Sequence, residues 1–195
     1  QNIIKSQRIN EEVLDTVIKK FIRAGVMEEK VAWEIEKAAH ELGAEKLAFS
    51  PVVAFGKSSS MPHAKPGGAR LKKGDVILID MGVSYKGYHS DMTRTFFTAK
   101  PTKLQEEVYK TVLKAQEAAI RALRPGLTGK KADKTARKVI EDAGYGEMFG
   151  HSSGHGVGFE IHELPNLSEN YTKKFKENAV VTVEPGIYLE GKFGV

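Results

Sequence analysis

Two acidic side chains stand at the ends of apolar runs, and each must be neutralised by something. VILIDMG, residues 76–82, carries four aliphatic residues straight into Asp80, and VVTVEPGIYL, residues 180–189, carries a second such run into Glu184. Runs of this kind read as buried strands. A carboxylate at the end of one is costly unless a cation or hydrogen-bond donors meet it. A third acid, Asp91, lies in YHSDMTRTFF, residues 88–97. If Lys86-Gly87 is a two-residue turn, Asp80 faces Thr93 and Asp91 faces Gly82. Side chains alternate with period two, so Asp80 and Asp91 then share a face as diagonal neighbours, roughly 7–8 Å apart at the backbone. Two carboxylates on one buried face either share a proton or hold a cation between them. Gly82, opposite Asp91, is expected to leave room there.

The segment HSSGHGVGFEIHELP, residues 151–165, adds His151, His155 and His162. His151 and His155 have the spacing of a helical zinc pair, but Gly150, Gly154, Gly156 and Gly158 surround them and make a helix improbable. In an extended segment the two histidines share a face, and the glycines admit a ligand or a second backbone. Taken singly, each such residue is more often an ordinary capping, core or surface side chain. Three histidines among glycines, together with acids closing buried strands, point instead to a site. One histidine among carboxylate oxygens suits manganese, cobalt or iron, and bridging carboxylates hold two metals roughly 3.5–4 Å apart for hydrolysis.

The elements that must position these residues follow from periodicity. Helices are expected over 10–24 and 28–42, the second stopped by Gly43, and the pattern turns strand-like over 47–55. A Gly/Ser/Pro-rich loop leads to two strands joined at Lys86-Gly87. The second half repeats the plan: a helix over 104–123, another ended by Gly144, then strands at about 156–162 and 179–189. Arg23, Gly25 and Gly43 match Arg124, Gly126 and Gly144 at a constant offset of 101 positions. An α+β domain of two αα-ββ halves, about 1–100 and 101–195, related by a pseudo-twofold with a cleft between them, is the expected architecture.

Composition narrows the chemistry. The 195 residues include no cysteine, which excludes thiol catalysis and leaves a metal site only His, Asp and Glu. No apolar run reaches the length of a membrane span, and QNIIKSQRINEEV lacks the apolar stretch of a signal peptide, so a cytoplasmic protein is expected. The net charge of +5 arises from 30 basic and 25 acidic residues that interleave, as in GKKADKTARK. These read as solvated helix faces, and no nucleic-acid partner is expected. AFGKSSS lacks the first glycine of a phosphate loop, and GHGVGF has the wrong glycine spacing for a dinucleotide turn.

Taken together, DVILIDMGVSYKGYHSDMTRTFF, GHSSGHGVGFEIHELP and VVTVEPGIYL resemble the metallopeptidases of the pita-bread fold, family M24. The resemblance is to the proline-specific branch of Xaa-Pro aminopeptidases and prolidases in particular. SSSMPHAKP and ALRPGLTG resemble that branch too. The resemblance implies two divalent ions, Mn2+ first, with Co2+, Zn2+ or Fe2+ as alternatives. It places Asp80, Asp91, His155 and Glu184 at four of five ligand positions. The fifth, a glutamate of a further strand, would lie beyond Val195, so the second half is expected to be incomplete at its C-terminal end, and the family's common N-terminal domain is expected to be absent. The resemblance also implies catalytic roles for Glu184 as proton acceptor, His162 at the oxyanion, and His63 and His151 in substrate binding. Tyr88, Phe159 and Tyr188 are candidates for an apolar wall, though core packing is the commoner role. The expected substrate is a peptide with proline at its second position, and a homodimer is the expected assembly. Methionine aminopeptidase-like hydrolysis, metal-free creatinase-like hydrolysis and a non-catalytic peptide- or protein-binding module are the alternatives on the same fold. The presence of all four ligand residues speaks against the last two.

Overall fold

The computed structural model describes residues 1–195. The chain falls into two compact units. The first comprises Gln1–Lys100 with Gly158–Ile161 and Leu189–Gly194; the second comprises Pro101–Val157, His162–Tyr188 and Val195. No helix is long and apolar enough to cross a membrane.

The first unit opens with helix α1, Asn2–Phe21, which buries Ile9, Val13 and Val17 at helical spacing. It begins eight residues before the expected start at 10 and ends three before the expected end at 24. Ser6 and Asn10, polar residues that interrupt the apolar pattern, lie on the buried face. Asn10 Nδ2 donates to the Met81 carbonyl at 3.0 Å, and Ser6 Oγ donates to the Val83 carbonyl at 2.9 Å. These two carbonyls flank Gly82, where the strand ladder breaks. Helix α1 therefore supplies the donors that the kinked strand needs.

Helix α2, Glu28–Glu41, packs Val31 and Ile35 onto the same core and is followed by Gly43 at φ +90°. Its first residue, Glu28, is buried and accepts from the amides of Phe55 (2.8 Å) and Gly67 (3.1 Å). The expected strand over 47–55 is split by Pro51 into β1, Lys46–Leu47, and β2, Val52–Phe55. Strands β3, Val76–Met81, and β4, Val83–Tyr85, return through β5, Tyr88–His89, and β6, Met92–Phe97. One three-stranded sheet has the order β2-β3-β6 and the other β1-β4-β5. Lys86 and Gly87 have φ of +50° and +76°, the two-residue turn that matches strand twist, and Tyr85 pairs with Tyr88. The expected register holds: Asp80 pairs with Thr93.

The second unit builds its helices by the same plan. Helix α3, Lys103–Ala122, starts with a reciprocal cap: Gln105 N donates to Thr102 Oγ1 at 3.2 Å, and Thr102 N donates to Gln105 Oε1 at 2.8 Å. Helix α4, Gly129–Asp142, ends at Ala143-Gly144 with Gly144 at φ +83°. Helices α1 and α3 have 20 residues each, α2 and α4 have 14 each, and each later helix starts 101 positions after its counterpart. Strand β7, Gly154–Gly156, pairs with β8, Glu163–Leu167. The expected strand over 156–162 is thus displaced, because the chain bends through Gly158–His162 instead. The expected strand over 179–189 is reduced to a single bridge between Gly156 and Val181 and, at its far end, a two-residue strand, Tyr188–Leu189. Residues 180–184 still run beside β7, with Thr182 N donating to the His155 carbonyl (2.7 Å) and Glu184 N to that of Ser153 (2.9 Å). Pro185, with no N–H, ends the pairing there. A last short hairpin, β9, Tyr188–Leu189, and β10, Phe193–Gly194, turns at Gly191.

Candidate metal and active site

In the first unit the candidate residues are set by the β3–β6 ladder. Asp80 lies at the end of β3 opposite Thr93, and Asp91 lies two residues before Thr93, so the period-two alternation puts both acids on one face. Both are half-buried, and Asp80 Oδ1 is sealed from solvent. Gly82 does not leave the space expected of it. A Cβ there would collide with the Ser90 carbonyl and come within 2.7 Å of the Phe49 ring. The glycine is required by close packing of backbone on backbone, and the open face lies elsewhere. His63 sits on the exposed loop between β2 and β3, whose Gly67 amide is tied down by Glu28. Tyr88 and Phe159 stack with ring centroids 4.4 Å apart, and Phe159 is largely exposed.

In the second unit the backbone pairing of residues 153–155 with 182–184 brings His155 and Glu184 together. His155 lies opposite Thr182, and Glu184 is two residues further along, on the same face as Thr182. His155 Nδ1 is 2.9 Å from the Gly156 carbonyl. A carbonyl only accepts, so Nδ1 carries a hydrogen and Nε2 is the nitrogen left to face other partners. That nitrogen is 3.0 Å from Glu184 Oε1, which also accepts from Thr182 Oγ1 at 2.6 Å. The His162 ring meets the His155 ring edge-on at 4.4 Å, with His162 itself exposed. By the same logic His151 donates from Nδ1 to the Ser152 carbonyl (2.8 Å), which leaves Nε2 for the Tyr188 hydroxyl at 2.9 Å.

Burial pushes the Glu184 carboxyl up. The hydrogen bonds from His155 and Thr182 and the electrostatic attraction of His155 and His151 outweigh it, so the net direction is below the ordinary glutamate value. A carboxylate held ionised beside an imidazole nitrogen becomes the donor set of a divalent cation once a metal takes the place of the hydrogen between them. The hydrogen-bonded Nδ1 fixes the ring with its other nitrogen available as a ligand. The residues present therefore fit a divalent metal. The second unit offers one imidazole and one carboxylate in His155 and Glu184, and the first unit, by itself, offers the two carboxylates of Asp80 and Asp91; nitrogen and oxygen donors of these kinds suit Mn2+ or Fe2+.

The structure brings together, in the second unit, His155, Glu184 and His162, and separately His151 with Tyr188; in the first unit, it sets Asp80 and Asp91 on one sheet face, with His63 on a loop. Three contributors went unrecognised in the sequence. Thr182 holds Glu184, and its signal was its place two residues before that acid in a period-two run. Asp133 and Arg137 were read among the solvated residues of GKKADKTARK. They are not solvated: Asp133 is fully buried and the Arg137 side chain is 17% exposed.

Comparison with known proteins shows what the chain as a whole resembles. An Xaa-Pro dipeptidase of Pyrococcus furiosus is 44% identical over 174 residues, covering 89% of this chain and 50% of that protein. An X-Pro aminopeptidase from Thermotoga maritima superposes with a TM-score of 0.97 at 43% identity, over 100% of this chain and 55% of the other. A prolidase from Pyrococcus furiosus does so with a TM-score of 0.97 at 41% identity, over 100% of this chain and 57% of the other. The architecture is accordingly the α+β pita-bread fold, and the chain spans about half the length of the relatives it matches. The sequence pattern of metallopeptidase family M24 matches residues 1–195, the whole length described above, and the chain belongs to that family.

Proposed function

We propose that the protein is a metal-dependent peptidase that hydrolyses the peptide bond before proline, with two divalent ions, Mn2+ first among them, held by Asp80, Asp91, His155 and Glu184. The observation that carries the proposal is the His155–Glu184 pair. An imidazole Nε2 and a carboxylate oxygen stand 3.0 Å apart, with the other ring nitrogen already committed to a carbonyl. The similarity to Xaa-Pro dipeptidases supports the proline preference. When bound, divalent metal would lower the pKa of a coordinated water and polarise the scissile carbonyl.

The chain's own residues do the rest. Glu184, held as a carboxylate by Thr182 and His155, accepts the proton of the attacking water. His162, exposed beside His155, donates to the developing oxyanion. His151 and His63 bind the peptide; His151 is oriented for it by the Ser152 carbonyl and the Tyr188 hydroxyl. A substrate with proline in the second position presents a tertiary amide with no N–H, so it needs no acceptor at that place.

The test is hydrolysis of Xaa-Pro dipeptides and of tetrapeptides with proline second, with Mn2+ and then with excess chelator. Cleavage before proline that stops on chelation and returns with Mn2+ is the expected result. Cleavage that survives chelation, or that treats Xaa-Ala as well as Xaa-Pro, would sink the proposal.

A further inference from the structure

Helix α4 carries an ion pair whose bonds converge on the segment leading to His151 and His155. Asp133 is fully buried on the first half of the helix, and Arg137 follows one turn later. Arg137 Nε donates to Asp133 Oδ2 at 3.0 Å and a terminal nitrogen donates to Oδ1 at 3.2 Å, the two-pronged geometry only a guanidinium supplies. Two of the remaining donors reach the backbone: one to the Phe149 carbonyl at 3.0 Å and one to the His151 carbonyl at 2.9 Å. Asp133 Oδ1 accepts from Ser153 twice, from its amide at 3.0 Å and from its hydroxyl at 2.7 Å. Residues 149, 151 and 153 are thus gripped in alternation by one buried pair. The grip continues in both directions. The Phe149 ring, 4.4 Å beneath the Arg137 guanidinium, meets the His151 ring edge-on at 5.0 Å. The Ser153 carbonyl in turn accepts from the Glu184 amide at 2.9 Å.

We infer that Asp133 and Arg137 are positioning residues. They set the 149–153 backbone so that His151 meets Tyr188 and Glu184 meets His155. A buried ion pair adds little net stability once its desolvation is counted, so the main contribution of this pair is the set of bonds it makes to the 149–153 backbone. The Arg137–Glu169 contact at 3.3 Å is peripheral to it, since the Glu169 side chain is 68% exposed. The inference rests on the metal-peptidase reading for its catalytic consequence, but the placement of His151 can be read without metal.

The experiment compares the protein with Asp133→Asn, Arg137→Met, Arg137→Lys and Ser153→Ala. Ser153→Ala removes one hydroxyl bond and leaves the ion pair whole. Two readouts are taken on folded protein, with folding checked by circular dichroism: Mn2+ affinity by calorimetry, and the tautomer of His151 by 15N NMR of the metal-free protein. The expected result is a fall in Mn2+ affinity of about 10- to 100-fold, as for removal of the outer partners of a metal site. It is accompanied by loss of the single Nδ1–H tautomer at His151. Arg137→Lys, which keeps charge but not the fork, should not rescue either readout. Unchanged affinity and an unchanged His151 tautomer in folded Asp133→Asn or Ser153→Ala would overturn the inference. If the ion-pair variants do not fold, Ser153→Ala decides alone. If the unsubstituted protein binds no Mn2+, the metal reading falls, and the His151 tautomer still decides the positioning role.

Discussion

His155 commits one ring nitrogen to a backbone carbonyl and turns the other toward a carboxylate. That division of labour is the one the proposed role of His155 as a metal ligand requires. Against the opposing effect of burial, and with a smaller contribution from His151, Glu184 gains its ionised state chiefly from the hydrogen bonds of two neighbours, His155 and Thr182. Removing each should give a different signature. His155→Ala should cost at least about 100-fold in Mn2+ affinity by deleting a ligand outright. Thr182→Val, nearly isosteric, should cost less, about tenfold, by removing only the bond that orients Glu184. Calorimetric titration of both variants checks the order; an affinity in Thr182→Val equal to that of the unsubstituted protein would remove Thr182 from its supporting role. Asp80 and Asp91 were legible in the sequence because a two-residue turn fixes the parity of every residue in its hairpin, and the Lys86-Gly87 turn did so. Asp133 and Arg137 were not legible. An acid and a base one turn apart on a lysine-rich helix look the same in sequence whether water or chain covers them. Only the packing of residues 149–153 against α4 decides it.

At the scale of elements, close approach and local pairing matter more than intrinsic propensity. Gly129 opens α4 against β8. A Cβ there would drive into the Asn166 carbonyl and stand 2.7 Å from the Tyr171 ring. Gly129→Ala is expected to destabilise the protein by roughly 2 kcal/mol, the usual cost of overpacking, despite alanine's better helix propensity. Urea denaturation measures it, and a neutral or stabilising result would contradict the packing account. The end of α4 is tied to α3 through Tyr145, whose hydroxyl donates to Glu107 Oε1 at 2.7 Å. That hydrogen bond, then burial, then the charge of Glu107 raise the Tyr145 phenol above the ordinary tyrosine value. Folding favours the protonated phenol, so its contribution is present in full below the ordinary tyrosine pKa and is lost as pH rises through the raised one. Spectrophotometric titration at alkaline pH should show one late tyrosinate step that disappears in Tyr145→Phe. The beginning of α1 and the strand at 179–189 were misread for physical reasons as well. Ser6 and Asn10 break the apolar pattern yet are buried because they serve the carbonyls beside Gly82. Residues 180–184 pair with β7 through only a few bonds before Pro185 intervenes.

At the scale of the whole molecule, the two units repeat a helical frame at a constant offset of 101 residues but load it with different chemistry. At the start of its second helix the first unit places Glu28, which grips the strand amide of Phe55 and the loop amide of Gly67; the second unit places Gly129, pressed onto a carbonyl. The shared frame was legible from Gly25, Gly43, Gly126 and Gly144, which all adopt positive φ. The divergent contents were not, because each depends on which loop packs there. A ligand that binds only the folded chain stabilises it by mass action. Mn2+ at 100 times its dissociation constant should therefore add about 2.7 kcal/mol and raise the melting temperature by about 5–10 °C. Differential scanning calorimetry with and without Mn2+ tests this, and an unchanged transition would mean that the fold holds no such ion.

The central claim is that Asp80, Asp91, His155 and Glu184 supply the ligands of a divalent metal. It is tested most directly by calorimetric titration of Mn2+ into the metal-free protein and into Asp80→Asn and Glu184→Gln. Saturable binding in the unsubstituted protein, lost or weakened by about 100-fold or more in both variants, is the result predicted. No binding, or binding indifferent to either substitution, would contradict it.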